Sequence, residues 1–362
     1  MKDNTKLYDF VQTTPDDISY MRNKETNNLN SIIIGRPGSG KSFLCKREIE
    51  YIVKNTEDEV MVLDLYGEYN PFGIKPNAIK NDISLTSNTY INPFDLYLPY
   101  SEYLSDSYII RVTIAEKSQF IISFLSLLLN RALTNQQKSL IDRVIKDLYL
   151  DNINAILKER KGGQKICYLP QESPTFDEFY DRIIQTQETC AKDFALQIER
   201  FAIGSYDIFT HHTNISIKQY TILNMGNVPY ELNEAAYLVG LMASDILIKT
   251  RQDCQKKTWF YFPIHSFSAA SVLIINRLYL NMYMQNMENT IMTGTIQSLS
   301  ELEDHNFKQI VSYTGMAILL DEDKNEHIKR VFDVEDRLFH MEKFLGILYN
   351  LASPVATPIS SK

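Results

Sequence analysis

The residues best suited to chemistry form a glycine-rich stretch near the start of the chain, at positions 35–42. Its letters, GRPGSGKS, match the pattern G-x-x-x-x-G-K-[ST], whose backbone N–H groups fold around a phosphate chain. Lys41 would neutralise charge on the β- and γ-phosphates, and Ser42 would ligate Mg²⁺. The pattern therefore predicts ATP and Mg²⁺ as cofactors. The residues assigned to the nucleotide are Gly35, Pro37, Gly38, Ser39, Gly40, Lys41, Ser42 and Phe43.

The elements around this stretch are of the type that the motif requires. An apolar run, SIIIG, precedes it, residues 41–54 have helical spacing, and a second apolar run, VMVLDL, follows. A helix that begins directly after the glycines adds the positive end of its dipole to the phosphate site. The order strand, loop, helix, strand predicts a phosphate-binding loop (P-loop) rather than a chance glycine-rich turn.

Three places compete to supply a carboxylate for the metal. Asp64 ends the second apolar run and is the predicted metal ligand, with Glu68 as a catalytic acid near the attacking water. Because this run follows the P-loop helix so closely, its strand could neighbour the P-loop strand. Residues 321–322, Asp-Glu, end another apolar run but open a charge-rich segment, which favours an exposed turn. The apolar run 258–264 is followed by His265 and carries no acid; a half-buried structural role is expected for this histidine.

Gln297 follows the apolar run TGTI and has two readings. It could contact the γ-phosphate as a catalytic residue, or it could cap the end of a strand.

Composition limits the classes of function. The chain has 362 residues, 44% of them hydrophobic, enough for a sizeable core. Lys+Arg 37 against Asp+Glu 45 gives a net charge of −8, which excludes a protein whose whole surface binds DNA electrostatically but leaves a local basic patch open. Four cysteines without a CxxC pair indicate neither a zinc site nor a disulfide framework. No secretory signal is present, and the most apolar stretch, residues 120–129, is half of the roughly 20 residues that a spanning helix needs.

The pattern of elements predicts an α/β fold with a mostly parallel sheet and an inserted all-α subdomain. Residues 1–100 would form the first part of the nucleotide-binding core, with the P-loop. Residues 101–218 would form the insertion, with helical periodicity over, for example, residues 133–150 and 175–184. Residues 219–350 would form the second part of the core, with strand-like runs at 220–225, 258–264, 289–296 and 316–320. Residues 351–362, rich in Pro, Ser and Thr, would be a disordered tail.

Further segments occur in an order that is typical of one family. They are NNLNSIIIGRPGSGKSF (27–43), DLYGEY (64–69), INPFD (91–95), LTNQQKSLIDRVIKDLY (133–149), SPTFDEFYDRI (173–183), GSYDIF (204–209) with TN (213–214), and TGTIQ (293–297). Through them the chain resembles, from residue 27 to 349, the C-terminal motor domain of the conjugative-transfer ATPases of type IV secretion systems. That is the family of the fourth VirB component, within the HerA/FtsK-like P-loop ATPases. Leu65 stands where the family usually has proline.

The resemblance implies a RecA-like core that binds and hydrolyses ATP, with Gln297 as a γ-phosphate sensor. It also implies a homo-hexamer, other conjugation or secretion components as partners, and a place in the cytoplasm at the inner face of the cell membrane, contacted through those partners. DNA pumping, as in the family's relatives, is a weaker reading because the chain is acidic. The family's amino-terminal domain has no room before Gly35, so the chain would be a fragment or a shortened homologue.

Two departures from the family's pattern open an alternative. The family's Walker B strand ends in Asp-Glu, and the equivalent place here reads Pro263-Ile264-His265. The arginine cluster that usually precedes TGxxQ is absent from residues 281–289, and Arg277 lies one helical turn or more away. The chain is therefore expected to be either an ATP-hydrolysing motor subunit or a hydrolysis-deficient, nucleotide-binding structural subunit of the same machine.

Overall fold

The computed structural model describes residues 6–8, 29–71, 77–99, 103, 105–160, 166–168, 170–250, 256–265, 275, 289–297, 310, 314–320 and 346–350. Its strands are β1 (Lys6–Tyr8), β2 (Ser31–Gly35), β3 (Glu59–Asp64), β4 (Ala78–Asp82), β5 (Tyr97–Pro99), β6 (Ile166–Tyr168), β7 (Tyr220–Asn224), β8 (Thr258–Pro263), β9 (Thr290–Ile296), β10 (Met316–Leu320) and β11 (Gly346–Asn350). Its α-helices are α1 (Lys41–Asn55), α2 (Asp106–Leu128), α3 (Asn135–Arg160), α4 (Phe176–Ile184), α5 (Thr189–Ala202) and α6 (Asn233–Thr250). Asp321, Glu322, Arg277 and the tail 351–362 lie outside the described residues.

One sheet of nine described strands organises the molecule, in the order β1-β11-β10-β2-β9-β8-β3-β7-β4. The strands from β10 to β4 run parallel, and β11 and β1 add antiparallel pairings at one edge. The predicted α/β fold with a mostly parallel sheet is confirmed. Parallel strands point their carboxyl ends toward one edge of the sheet, so the loops that follow β2, β3, β8 and β9 meet there.

The position of β3 corrects one expectation. β3 does not neighbour the P-loop strand β2, because β9 and β8 lie between them. The strands that fill this gap come from residues 258–296, about 200 positions later in the chain. Closeness in sequence therefore predicted the wrong neighbour for the P-loop strand β2. The loop after β3 has to pass the ends of β8 and β9 to reach the P-loop.

Alternate residues of the central strands enter two different cores, because a parallel sheet is covered on both faces. Ile33 and Val62 pack on one face with α1, through Ile49 and Ile52. On the other face Ile32, Ile34 and Leu63 share a core with α6. Strands buried on both sides need continuous apolar runs, and SIIIG and VMVLD have this pattern.

Along the chain, helices α2 to α5 lie between β5 and β7, with β6 between α3 and α4. Helix α2 packs on α3, and α4 packs on α5. The helices expected over residues 133–150 and 175–184 are confirmed as α3 and α4. The hydroxyl of Thr134 accepts a hydrogen bond from the amide of Gln137 at 3.2 Å, which caps the first turn of α3. The pairing of β5 with β6 was not indicated by the sequence. The domain boundaries at residues 100, 218 and 350 stay predictions.

Candidate functional site

The P-loop has the backbone geometry of an anion-binding loop. Gly38 and Gly40 take φ values of 84° and 94°, which residues with a side chain rarely adopt. α1 begins at Lys41, directly after Gly40, so its free N–H groups open toward the loop. A Cβ at Gly35 would lie 2.5 Å from the carbonyl oxygen of Leu320 in the adjacent strand β10, so packing also requires glycine there.

Lys41 and Ser42 are held by groups of the site itself. The Nζ of Lys41 donates to the carbonyl oxygen of Gly35 and, at 3.0 Å, to that of Arg36. The hydroxyl of Ser42 donates to the Oε2 of Glu68, which lies in the loop after β3. The lysine ammonium can exchange these carbonyls for phosphate oxygens, and a serine hydroxyl beside a carboxylate offers two oxygen ligands to a cation.

A cleft of about 460 Å³ lies beside the P-loop at the carboxyl edge of the sheet. This volume is in the range of sites that hold small ligands. The sequence-predicted residues that line it are Pro37, Gly38, Gly40, Lys41, Ser42, Phe43, Asp64, Glu68 and Gln297. Gly35 and Ser39 are not in its lining; Gly35 ends β2, and the Oγ of Ser39 is buried.

Asp64 and Glu68 occupy different positions at this site. Asp64 is 2% exposed, and its Oδ1 accepts the amides of Tyr66 and Glu68 at 3.2 and 3.1 Å. Its Oδ2 accepts the amide of Tyr69 at 2.8 Å. Burial raises the pKa of Asp64, and these three amides oppose that shift. Asp64 thus builds the turn, in which Gly67 has a φ of 70°, while the exposed carboxylate of Glu68 contacts Ser42.

The far wall of the cleft joins the ends of β3, β8 and β9. The hydroxyl of Tyr66 lies 2.6 Å from the Nε2 of His265, and the Nε2 of Gln297 donates to the same hydroxyl at 3.4 Å. Burial lowers the pKa of His265 to about 4, and the charge of Lys41 adds to this shift, so the imidazole is neutral at pH 7. No role could be assigned to Tyr66 from the sequence, in which its only signal is its place between Asp64 and Glu68.

The donor set suits Mg²⁺ better than a transition metal. Within the described residues, no group of three or more His, Cys, Asp or Glu side chains is arranged to hold a metal. Mg²⁺ is commonly bound through one or two carboxylates together with substrate phosphates and water, which matches one hydroxyl and one carboxylate at Ser42 and Glu68. The residues present therefore fit a magnesium ion that arrives with a nucleotide.

None of the described helices combines the length and the apolar character needed to cross a membrane.

Comparison with known proteins defines the class. The family model of the helicase HerA central domain matches residues 29–238, more than half of the chain. The chain therefore belongs to this family of P-loop proteins, as its resemblance to HerA/FtsK-like ATPases indicated. A comparison with curated proteins finds no match.

Among solved structures, the fold is similar to that of VirB4 of Thermoanaerobacter pseudethanolicus. The TM-score is 0.70 at 17% sequence identity, over 90% of this chain and 88% of that one. The bacterial conjugative coupling protein TrwBdeltaN70, solved in complex with sulphate, gives a TM-score of 0.45 at 9% identity, over 98% of this chain and 83% of that one. The similarity to VirB4 confirms the fold expected from the sequence.

Proposed function

We propose that the chain binds Mg·ATP at residues 35–42 and hydrolyses it, as the energising subunit of a conjugative DNA-transfer or type IV secretion machine. The observation that carries the proposal is the contact between the P-loop hydroxyl of Ser42 and the carboxylate of Glu68. A phosphate loop with a carboxylate at its serine is the minimum that a Mg·nucleotide site requires. Membership of the HerA family and the VirB4-like fold support the choice of machine.

Each residue of the cleft has a distinct part in this proposal. The amides of the P-loop and the ammonium of Lys41 bind the phosphates, and Phe43, 65% exposed on the first turn of α1, offers an aromatic face to the nucleoside. Ser42 and Glu68 hold the Mg²⁺, which when bound offsets charge on the phosphoryl group being transferred. Asp64, first assigned to the metal, acts by holding the turn that presents Glu68. Gln297 lines the cleft and would contact the γ-phosphate end of the nucleotide.

The test is phosphate release at saturating Mg·ATP, measured beside a titration with a fluorescent ATP analogue. Lys41→Ala is expected to reduce turnover to background, because the charge that holds the β- and γ-phosphates is lost. Lys46→Ala is the matched control, since Lys46 lies on the same helix with its Nζ over the ring of Tyr69, 5.4 Å from the centroid. Turnover that survives Lys41→Ala at the wild-type rate would contradict the assigned site.

The second candidate is a hydrolysis-deficient subunit that binds nucleotide for assembly. The observation in its favour is the end of β8, where Pro263, Ile264 and His265 provide no carboxylate. Removal of a metal-binding acid and an arginine finger lowers turnover far more than nucleotide binding, because the P-loop still holds the phosphates. Saturable nucleotide binding by the wild-type chain, with phosphate release at background, would establish this candidate and exclude the first.

The assembly is part of the same proposal. By its family and fold, the chain would form a homo-hexamer on the cytoplasmic side of the cell membrane, held there by other secretion or conjugation components. Light scattering with and without a slowly hydrolysed ATP analogue measures the oligomeric state directly. A net charge of −8 argues against DNA as a partner. DNA binding whose affinity falls steeply with salt would be the evidence in favour of it.

A further inference from the structure

A chain of hydrogen bonds runs along the wall of the cleft that lacks a carboxylate. It links three strand ends: Tyr66 after β3, His265 after β8 and Gln297 after β9. The hydroxyl of Tyr66 is the central member, and its ring meets that of His265 edge to face, with centroids 5.8 Å apart. All three side chains line the cleft that also contains Lys41 and Ser42.

The direction of these hydrogen bonds depends on the tautomer of His265, and the distances favour one of the two. The separation of 2.6 Å between the Tyr66 oxygen and the His265 Nε2 is short for an N–H donor and normal for an O–H donor. A phenol is also the stronger donor and an imidazole nitrogen the stronger acceptor, so Tyr66 donates to His265. A neutral imidazole has one ring nitrogen without a proton, and this direction requires that nitrogen to be the Nε2 of His265.

That direction determines which end of the Gln297 amide faces which neighbour. Because the proton of the Tyr66 hydroxyl is directed to His265, its oxygen is an acceptor, and the Nε2 of Gln297 donates to it at 3.4 Å. The opposite end of the amide, Oε1, accepts no hydrogen bond from any part of the chain that the structure describes. The amide oxygen is therefore an acceptor that stays available to the cleft, while Tyr66 engages one of the two N–H groups of the Gln297 Nε2.

We propose that Tyr66, held by His265, is a positioning residue that orients Gln297 so that its Oε1 accepts a hydrogen bond from the attacking water. The inference rests on the proposed hydrolysis and gives Gln297 a role beyond contact with the γ-phosphate. In that reaction the water oxygen bonds to the γ-phosphorus and the bond to the β,γ-bridging oxygen breaks. ADP leaves with the electron pair of that bond, and the protons of the water pass to inorganic phosphate and solvent. Gln297 takes no proton.

The first experiment reads the hydrogen-bond direction in the nucleotide-free protein. Nitrogen-15 NMR of the histidine-labelled full chain at pH 7, with His265→Gln to assign its signal among the six histidines, reports which ring nitrogen carries the proton. The expected result is a neutral ring with Nδ1 protonated and Nε2 acting as acceptor. A protonated Nε2 would reverse the direction of the chain and overturn the inference, whether or not the protein hydrolyses ATP.

The second experiment measures the consequence for turnover. Tyr66→Phe is expected to lower kcat by about 10- to 100-fold, the effect of a misplaced catalytic group, with the Kd for a slowly hydrolysed ATP analogue within about twofold of wild type. Gln297→Ala is expected to lower kcat at least as much, and adding Tyr66→Phe to it should lower kcat no further. Tyr230→Phe, at a side chain 90% exposed outside the cleft, is the control for loss of a hydroxyl.

The variants at His265 separate positioning from packing. His265→Gln keeps an acceptor for the Tyr66 hydroxyl and should retain more turnover than His265→Leu, which keeps none. Additive losses in the double variant Tyr66→Phe with Gln297→Ala would overturn this inference but not the proposed hydrolysis. A Tyr66→Phe variant that turns over at the wild-type rate would do the same. A wild-type chain that binds nucleotide without turnover would overturn the hydrolytic function and the water-orienting role together.

Discussion

At the scale of residues, two carboxylates four positions apart have separate tasks. Asp64 is buried and its oxygens accept three backbone amides, whereas Glu68 is exposed and contacts the hydroxyl of Ser42. A carboxylate can accept from N–H groups on both oxygens, but an asparagine amide can do so on one oxygen only. The turn therefore depends on both carboxylate oxygens of Asp64, and in the proposed magnesium site the carboxylate ligand is Glu68.

We expect Asp64→Asn and Glu68→Gln to have opposite profiles. In Asp64→Asn, an NH₂ group would face the buried amide of Tyr69, and the unpaired donor should lower the free energy of unfolding by about 1–3 kcal/mol. Glu68→Gln should change that free energy by less than about 0.5 kcal/mol and weaken Mg²⁺-dependent nucleotide binding. Urea denaturation and nucleotide titrations with and without Mg²⁺ measure both. A stable Asp64→Asn variant that has lost Mg²⁺ dependence would return the metal to Asp64.

Local pattern explains which site residues could be predicted from the sequence. The P-loop is a contiguous motif, and its Lys41 and Ser42 line the cleft as expected, together with Glu68 and Gln297. Tyr66 could not be found in this way, because its partner His265 is 199 positions away and belongs to a strand chosen by tertiary packing. The sequence favoured metal binding over a turn role for Asp64, since it does not show that three amides converge on this one carboxylate.

At the scale of elements, the loop after β7 supports the turn that carries Glu68. The amide of Met225 donates to the carbonyl oxygen of Asp64 at 2.8 Å. A Cβ at Gly226 would lie 2.6 Å from the amide nitrogen of Gly67 and 2.9 Å from its Cα, so the two loops pack backbone to backbone. Because backbone atoms cannot rotate away, any side chain at position 226 has to move the Glu68 turn.

We expect Gly226→Ala to lower nucleotide affinity as well as stability. The methyl group would displace the turn, separate Glu68 from Ser42, and cost about 1–3 kcal/mol through overpacking. Gly240→Ala on α6 is the matched control, because its Cβ would meet only the side-chain ends of Leu63 and Met225, both at 2.7 Å. It should alter stability and leave Mg·nucleotide affinity unchanged. The comparison requires thermal denaturation and a binding titration of both variants, and equal affinity losses would contradict this role of the loop.

Local sequence predicts most of the strands and helices, but it does not predict which strands lie next to each other in the sheet. The strands expected at 220–225, 258–264, 289–296 and 316–320 are confirmed within one residue of β7, β8, β9 and β10. Periodicity and apolar runs carry this information. The order of strands does not, because it is determined by crossovers between distant segments, as the separation of β2 from β3 demonstrates.

At the scale of the whole molecule, the helical segments and the sheet share one hydrophobic core on the face that carries α6. A buried polar contact joins residues from the two sides of position 100: the Oδ2 of Asp95 accepts hydrogen bonds from the hydroxyls of Tyr168 at 2.8 Å and Thr213 at 2.6 Å. Lys117 of α2 donates to the carbonyl oxygen of Pro93 at 3.0 Å. Burial raises the pKa of Asp95 to about 6 and lowers that of Lys117 to about 7, and each charge opposes the shift of the other. The predicted domain boundary at residue 100 therefore divides a hydrophobic core that the segments on both sides share.

We expect the helical segments and the sheet to unfold as one unit when this contact is removed. Asp95→Ala would leave two buried hydroxyls without their acceptor and the Lys117 ammonium without its nearby negative charge, which should cost on the order of 3 kcal/mol or more. Hydrogen exchange should then rise together in α2–α5 and in β3 and β7. Asp142→Ala, which removes only the 2.7 Å bond from Ser118 to an exposed carboxylate, is the control and should cost less than about 1 kcal/mol. Exchange that rises in the helices while the strands stay protected would instead make the insertion an independent folding unit.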